Sequence, residues 1–294
     1  MKDFKQLFSQ YQLPVSDETV KQQVEKILAE KSAGNNNVEV YKKLFSCIDL
    51  TSLNHTDHAE QIAGFTKKAN ELQKYYAEMP NVAALCVYPS LVETVKTHLS
   101  EFAEMGIAAV SAGFPSSQTF IEVKVAETAL AVMSGATEID VVISVGKFLA
   151  GDYQAVLEEL EEIKASCRHA HLKVILESGS LGSAQNIFKA SLIAMLAGAD
   201  FIKTSTGKTS PAATLEAALV MCQAIRQFHE KTGVKVGFKP AGGIATTQDA
   251  VNYYTIVKEV LGNDWLNNKL FRLGASRLAN SLLTDIYGKE EKYF

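Results

Sequence analysis

The sequence predicts an α/β fold, a TIM (β/α)8 barrel with an N-terminal helical extension. Three observations carry that expectation. Eight short apolar runs recur along the chain, each followed by a polar or glycine-bearing loop and a longer amphipathic stretch. No two-residue hairpin signal joins neighbouring runs, so the strands are expected to be parallel with helical crossovers. The length of 294 residues suits one such barrel, and no GxGxxG follows the first run, as an open dinucleotide-binding sheet would require.

Residues 1–40 read as the extension. Leu7, Val20, Val24, Ile27 and Leu28 recur partly at helical spacing, Pro14 interrupts them, and Ser16 or Asp17 is placed to cap the second helix. Gly34, Asn35, Asn36 and Asn37 end the pattern. The barrel is assigned to 41–288 and a short charged tail to 289–294. The expected strands are 44–50, 82–87, 107–111, 138–143, 172–177, 199–203, 234–239 and 269–273. The helices between them include 117–133, 153–166, 183–196 and 211–231, the last with Pro211 in its first turn. Gly135, Gly198 and Gly233 suit the residue that closes a helix before the next strand.

Composition narrows the function. A hydrophobic share of 47 % with 21 % charged residues is that of a globular chain with a large core. The net charge of -4 and the scattered basic residues point away from nucleic acid. No apolar run approaches a membrane span, and the N-terminal MKDFKQLFSQ lacks the apolar segment of a secretory leader. Cys47, Cys86, Cys167 and Cys222 form no CxxC pair and have no histidine at zinc-finger spacing, so reduced thiols in a cytoplasmic protein are expected. His55 and His58 flank Asp57 in a polar junction that reads as solvated. No metal and no cofactor are expected.

The most informative stretch is 201–208, FIKTSTGK. It opens apolar and then sets Lys203 where a strand leaves the core. Desolvation there favours a neutral, nucleophilic amine. Thr204, Ser205 and Thr206 supply hydroxyls, Gly207 admits a ligand close to the backbone, and Lys208 is a candidate for anion binding. The stretch is not a P-loop, because Ile202 stands where that motif needs its first glycine. Taken alone, the octapeptide also fits a strand end with two solvated lysines.

Other strand ends add to it. Asp49 and Thr51 end the first strand, Cys86 the second, Asp140 lies inside the apolar fourth, and Lys239 ends the seventh. Charges in apolar strands need partners. Asp140, Lys203 and Lys239 are expected to share one barrel mouth, as a reactive group or as a salt-bridge network that fills the barrel. Lys203 and Lys239 fall on adjacent strands, about 4.8 Å apart. Two ammonium groups at roughly 5 Å repel by about 3 kcal/mol at an effective dielectric of about 20. That lowers one lysine pKa by about two units. The neutral amine is then free to attack a carbonyl, with Asp140 moving protons. Gly242 and Gly243 follow the seventh strand, and Gly274 and Ser276 the eighth. With Gly207 and Lys208 they form the expected barrel phosphate site.

These motifs resemble deoxyribose-phosphate aldolase. FIKTSTGK, VGFKPAGG from Val236, CIDLT from Cys47 and EIDVV around Asp140 carry the likeness, which runs from about Cys47 to Leu283. The resemblance implies a metal-free class I aldolase that reversibly cleaves 2-deoxy-D-ribose 5-phosphate to D-glyceraldehyde 3-phosphate and acetaldehyde. It implies that Lys203 forms the Schiff base, Lys239 perturbs it, Asp140 relays protons and Asp49 lies near the substrate hydroxyls. It also implies nucleoside catabolism in the cytoplasm and a homodimer acting on a small phosphosugar. Two residues depart from the family pattern at the phosphate site. Ala245 stands where relatives often have arginine, and Arg277 where they often have a second serine. Arg277 is therefore a further phosphate-binding candidate, against a place on the wet face of the last helix beside Ser281 and Asp285. A third departure is the tail, which ends Tyr293-Phe294 where some members end in a tyrosine that assists proton transfer. The alternatives are another Schiff-base lyase for a phosphorylated sugar, or a noncatalytic phosphosugar-binding barrel.

Overall fold

The computed structural model describes residues 3–101 and 104–294. Met1 and Lys2, counted above in the extension, lie outside the described residues. Eight parallel strands follow in order: β1 (Ile48–Thr51), β2 (Ala84–Val87), β3 (Gly106–Ser111), β4 (Glu138–Val142), β5 (His171–Ile175), β6 (Phe201–Lys203), β7 (Gly237–Lys239) and β8 (Leu273–Ala275). Sequence neighbours are sheet neighbours, and β8 pairs with β1. Parallel bridges Phe238–Phe271 and Ala241–Gly274 join β7 to β8 and close the barrel.

The α-helices are α1 (Phe4–Ser9), α2 (Asp17–Lys31), α3 (Val38–Ser46), α4 (Ala59–Tyr75), α5 (Val92–His98), α6 (Ile121–Ser134), α7 (Val145–Leu149), α8 (Tyr153–Cys167), α9 (Ala184–Leu196), α10 (Leu215–Thr232), α11 (Thr247–Leu261) and α12 (Leu278–Tyr287). Local sequence sets many of their starts. Ser16, Asn37, Asp152, Ser183, Thr214 and Thr246 each accept the N–H three residues on, satisfying a donor the helix cannot. Gly135 and Gly233 close α6 and α10 in the left-handed conformation, and Gly198 follows α9 in the same way.

Expected starts at 44, 117, 211, 234 and 269 are corrected to Ile48, Ile121, Leu215, Gly237 and Leu273. Residues 44–46 belong to α3, because Asn37 caps a helix that buries Val40, Leu44 and Phe45 on one face. The last strand lies later than 269–273: Asn267 accepts the Lys269 N–H in a turn, and Gly274 and Ala275 are inside the strand rather than beyond it. Helix α10 starts at Leu215, capped by Thr214, so Pro211 stands in the preceding loop.

Most of the core fills the layer between sheet and helices. A second cluster takes alternate residues of β2 (Ala84, Cys86) and β3 (Ala108, Val110), with Leu53 from the loop after β1, and occupies the barrel interior on that side. The extension lies outside the helical ring. Helix α2 packs on α10 and α11, and Phe4 and Phe8 of α1 meet Tyr153 of α8. The tail is held on the outside as well. The Tyr293 hydroxyl donates to the Lys68 carbonyl, and Phe294 exchanges two hydrogen bonds with Asn280.

Candidate active site

The β6–β7 register sets Lys203 directly beside Lys239, and the β4–β5 register sets Asp140 beside Lys173. One oxygen of Asp140 accepts both ammonium groups, at 2.8 Å from Lys203 Nζ and 2.7 Å from Lys239 Nζ. Its other oxygen, Oδ1, is 3.4 Å from Lys173 Nζ and accepts no hydrogen bond among the described residues. Beneath this pair Asp49 binds Lys173 at 2.7 Å, Lys239 at 2.5 Å and Arg272 at 2.6 Å. Glu138 grips the Arg272 guanidinium with both oxygens and also contacts Lys173.

This buried group holds three carboxylates and four cations. Asp49, Glu138 and Asp140 are balanced by Lys173, Lys239 and Arg272, which leaves Lys203 as the surplus charge. Among the described residues Lys203 has only Asp140 as a carboxylate partner, whereas Lys239 has two and Lys173 three. Burial above all, and then the Lys239 ammonium, bring Lys203 below the ordinary lysine range against the pull of Asp140. Lys239 is equally buried, but Asp140 and Asp49 together raise it above that range. Burial opposes charge on Asp140, yet Lys173, Lys203 and Lys239 outweigh it and hold the carboxyl well below its usual value. The arrangement supplies one depressed amine, one fixed ammonium and one ionised carboxylate with a free acceptor oxygen.

Above it opens a cavity of about 250 Å³ at the C-terminal ends of the strands. Thr51, Lys203, Thr206, Gly207, Lys208, Gly242, Gly243, Gly274, Ser276 and Arg277 line it, as does Ala245. Asp49, Asp140, Lys239 and Cys86 do not line it. Asp49, expected near substrate hydroxyls, is committed below to three cations. Cys86, expected at the mouth, is packed with Ala84, Ala108 and Val110, and burial pushes its thiol pKa up.

The hydroxyls of the TST run divide their work. Ser205 donates to the Ala241 carbonyl at 2.6 Å, and Thr204 accepts the Ala241 N–H, so both tie the β6 loop to the β7 loop. Thr206 alone of the three reaches the cavity wall. Gly207 and Gly242 approach closely: a Cβ on Gly242 would stand 2.9 Å from the Gly207 Cα. Lys208 lines the cavity, with Nζ donating to the Leu53 carbonyl across the mouth. Helix α12 has no side-chain cap, so its first N–H groups stand beside Ser276 and Arg277.

A model of the DeoC/LacD family of aldolases matches residues 43–259. The chain belongs to that family. Among curated relatives, a deoxyribose-phosphate aldolase of Bos taurus is 44 % identical over 254 residues, 83 % of this chain and 80 % of that protein. One of Agrobacterium fabrum is 41 % identical over 246 residues, 83 % of this chain and 91 % of that protein. A solved structure described as QR15, an aldolase, shares the fold with a TM-score of 0.67 and 28 % identity, covering 82 % of this chain and 96 % of that one. The protein is an aldolase of this family, a carbon–carbon lyase.

The structure brings together Lys203, Lys239 and Asp140, as the sequence led us to expect, and adds Lys173, Glu138 and Arg272, which sequence reading missed. Lys173 carried the same signal as Asp140, a lone charge in an apolar strand. Arg272 sits between Phe271 and Leu273 in the same manner.

Proposed function

We propose that the protein reversibly cleaves 2-deoxy-D-ribose 5-phosphate through a Schiff base on Lys203. The observation that carries this reading is the surplus lysine, held below its normal pKa beside a fixed ammonium at the cavity floor. The neutral amine adds to the C1 aldehyde of the open-chain sugar, and loss of water leaves an iminium. The C3 hydroxyl gives up its proton, the C2–C3 bond breaks, and its electron pair enters the iminium to form an enamine. D-Glyceraldehyde 3-phosphate departs. The enamine takes a proton at C2, and water releases acetaldehyde and restores the amine. Asp140, below the cavity and with free lone pairs on Oδ1, takes and returns the protons through water. Turnover of a panel of phosphosugars separates this reading from another Schiff-base lyase, and a noncatalytic barrel binds without forming an imine.

The phosphate is placed against the Gly207, Gly242 and Gly243 backbone, Lys208, Ser276 and the α12 N-terminus. Arg277 is exposed in the same wall and replaces the guanidinium that Ala245 lacks. Arg277→Ser is expected to lower kcat/KM for deoxyribose 5-phosphate by about tenfold to a hundredfold, the worth of a charge-assisted contact. Unphosphorylated deoxyribose is expected to react as before. Equal losses on both would assign Arg277 to the helix.

Four buried free cysteines support a reducing, cytoplasmic setting. Among the described residues no helix is long and apolar enough to cross a membrane. A second copy is proposed to cover the outer face of α6, where Leu130 is 61 % and Met133 68 % exposed with Val123 beside them. Two pockets meet at Leu130 on this face, one lined by Glu122 and Glu127 and the other by Lys96 and Glu93, so a two-fold antiparallel pairing sets Glu122 of one copy near Lys96 of the other. Sedimentation should give a dimer for the native protein and a monomer for Leu130→Glu. A native monomer would end the proposal.

A further inference from the structure

Glu177 follows β5 and has no part in the reaction described above. It is 4 % exposed and adopts a left-handed φ of +53°, uncommon for a residue with a side chain. Its backbone is held against β6, since the Leu176 N–H donates to the Lys203 carbonyl and the Ser178 N–H to the Thr204 carbonyl. Its carboxylate turns to the β6 loop. Oε2 accepts the Thr206 hydroxyl at 2.6 Å, and Oε1 accepts the Thr206 N–H at 3.3 Å. Thr206 Oγ1 in turn accepts the Lys208 N–H at 3.0 Å.

A carboxylate buried on hydrogen bonds alone is costly; an amide would avoid burying charge but offers one acceptor oxygen where Thr206 presents two donors. What the charge adds is strength: both bonds to Thr206 become charge-assisted. They fix the curl in which Gly207, at φ +75°, and Lys208 face the cavity. The opposite shoulder of the loop is already fixed to Ala241 through Ser205. Lys203 lies upstream and is oriented separately through Asp140.

We infer that Glu177 is a positioning residue for the phosphate-binding loop, holding Thr206, Gly207 and Lys208 in the shape that receives the substrate's phosphate. The inference rests on the aldolase reading above. It acts on binding of the phosphorylated arm and leaves the carbon–carbon chemistry alone.

The test is steady-state kinetics with deoxyribose 5-phosphate and with unphosphorylated deoxyribose. Glu177→Ala is expected to raise KM for the phosphorylated sugar by about tenfold or more, with kcat within about threefold. Cleavage of the unphosphorylated sugar is expected to stay within about twofold. Glu177→Gln keeps one acceptor for Thr206 but removes the charge and the second acceptor, so it should recover only part of the loss. Thr206→Val removes the other end of the contact and should repeat the KM increase, so the inference stays testable if Glu177→Ala fails to fold. Equal losses on both sugars, or a native KM in Glu177→Ala or in Thr206→Val, would overturn it. A native protein that does not cleave deoxyribose 5-phosphate would instead overturn the aldolase reading on which it stands.

Discussion

Borohydride reduction in the presence of acetaldehyde is expected to leave an ethyl group on Lys203 and on no other lysine of the site. Lys173, Lys203 and Lys239 all lie within reach of Asp140, so proximity alone does not choose among them. Charge balance and access do. Lys173 and Lys239 each neutralise at least two carboxylates, and both are held above the ordinary lysine range once those carboxylates outweigh burial. Lys203 has one carboxylate partner, lines the cavity, and is held below that range. Lys203→Met is expected to lower turnover by roughly 10⁴-fold or more, since neither Lys173 nor Lys239 has the access or the depressed pKa. Peptide mapping after reduction reads the site. A label on Lys239 with Lys203 untouched would reverse the assignment, and no label on either would remove the Schiff base.

Lys239→Leu is expected to move the activity profile to higher pH and to lower the rate at neutral pH by roughly a hundredfold or more. The sign follows from the same balance. With Lys239 gone, Asp49, Glu138 and Asp140 face only Lys173 and Arg272, and Lys203 becomes the third cation they need. Its folded-state pKa rises. Activity requires the neutral amine, so the acid limb of the profile, which climbs through that pKa, shifts upward. The pH dependence of kcat/KM for deoxyribose 5-phosphate measures it. A variant with the native profile and rate would mean that Lys239 neither perturbs Lys203 nor takes part in proton transfer.

The sequence by itself determined the class of fold, the order of elements and the pair of lysines. Short apolar runs alternating with longer amphipathic stretches admit few arrangements, and Lys203 and Lys239 at corresponding ends of consecutive strands must stand side by side once those strands are parallel. Family membership was legible for the same reason, because the lysine motifs are local strings. Boundaries were less legible where a helix runs into a strand without a break. Val40, Leu44 and Phe45 suit either element until packing shows that they bury one helical face.

The tertiary structure alone decided which charges meet. Asp49 and Arg272 are 223 residues apart and Lys173 and Asp49 124, yet each pair is in hydrogen-bond contact inside the barrel. No local pattern records such a pairing, because barrel closure brings the first and last strands together and sets each residue's depth. Depth is what separated Asp49 from the substrate cavity and left Cys86 packed among alanines. It also divided the TST hydroxyls between the β7 loop and Glu177. A side chain's type names the chemistry it is able to do; its place in a closed barrel fixes its partners, its burial and therefore its charge.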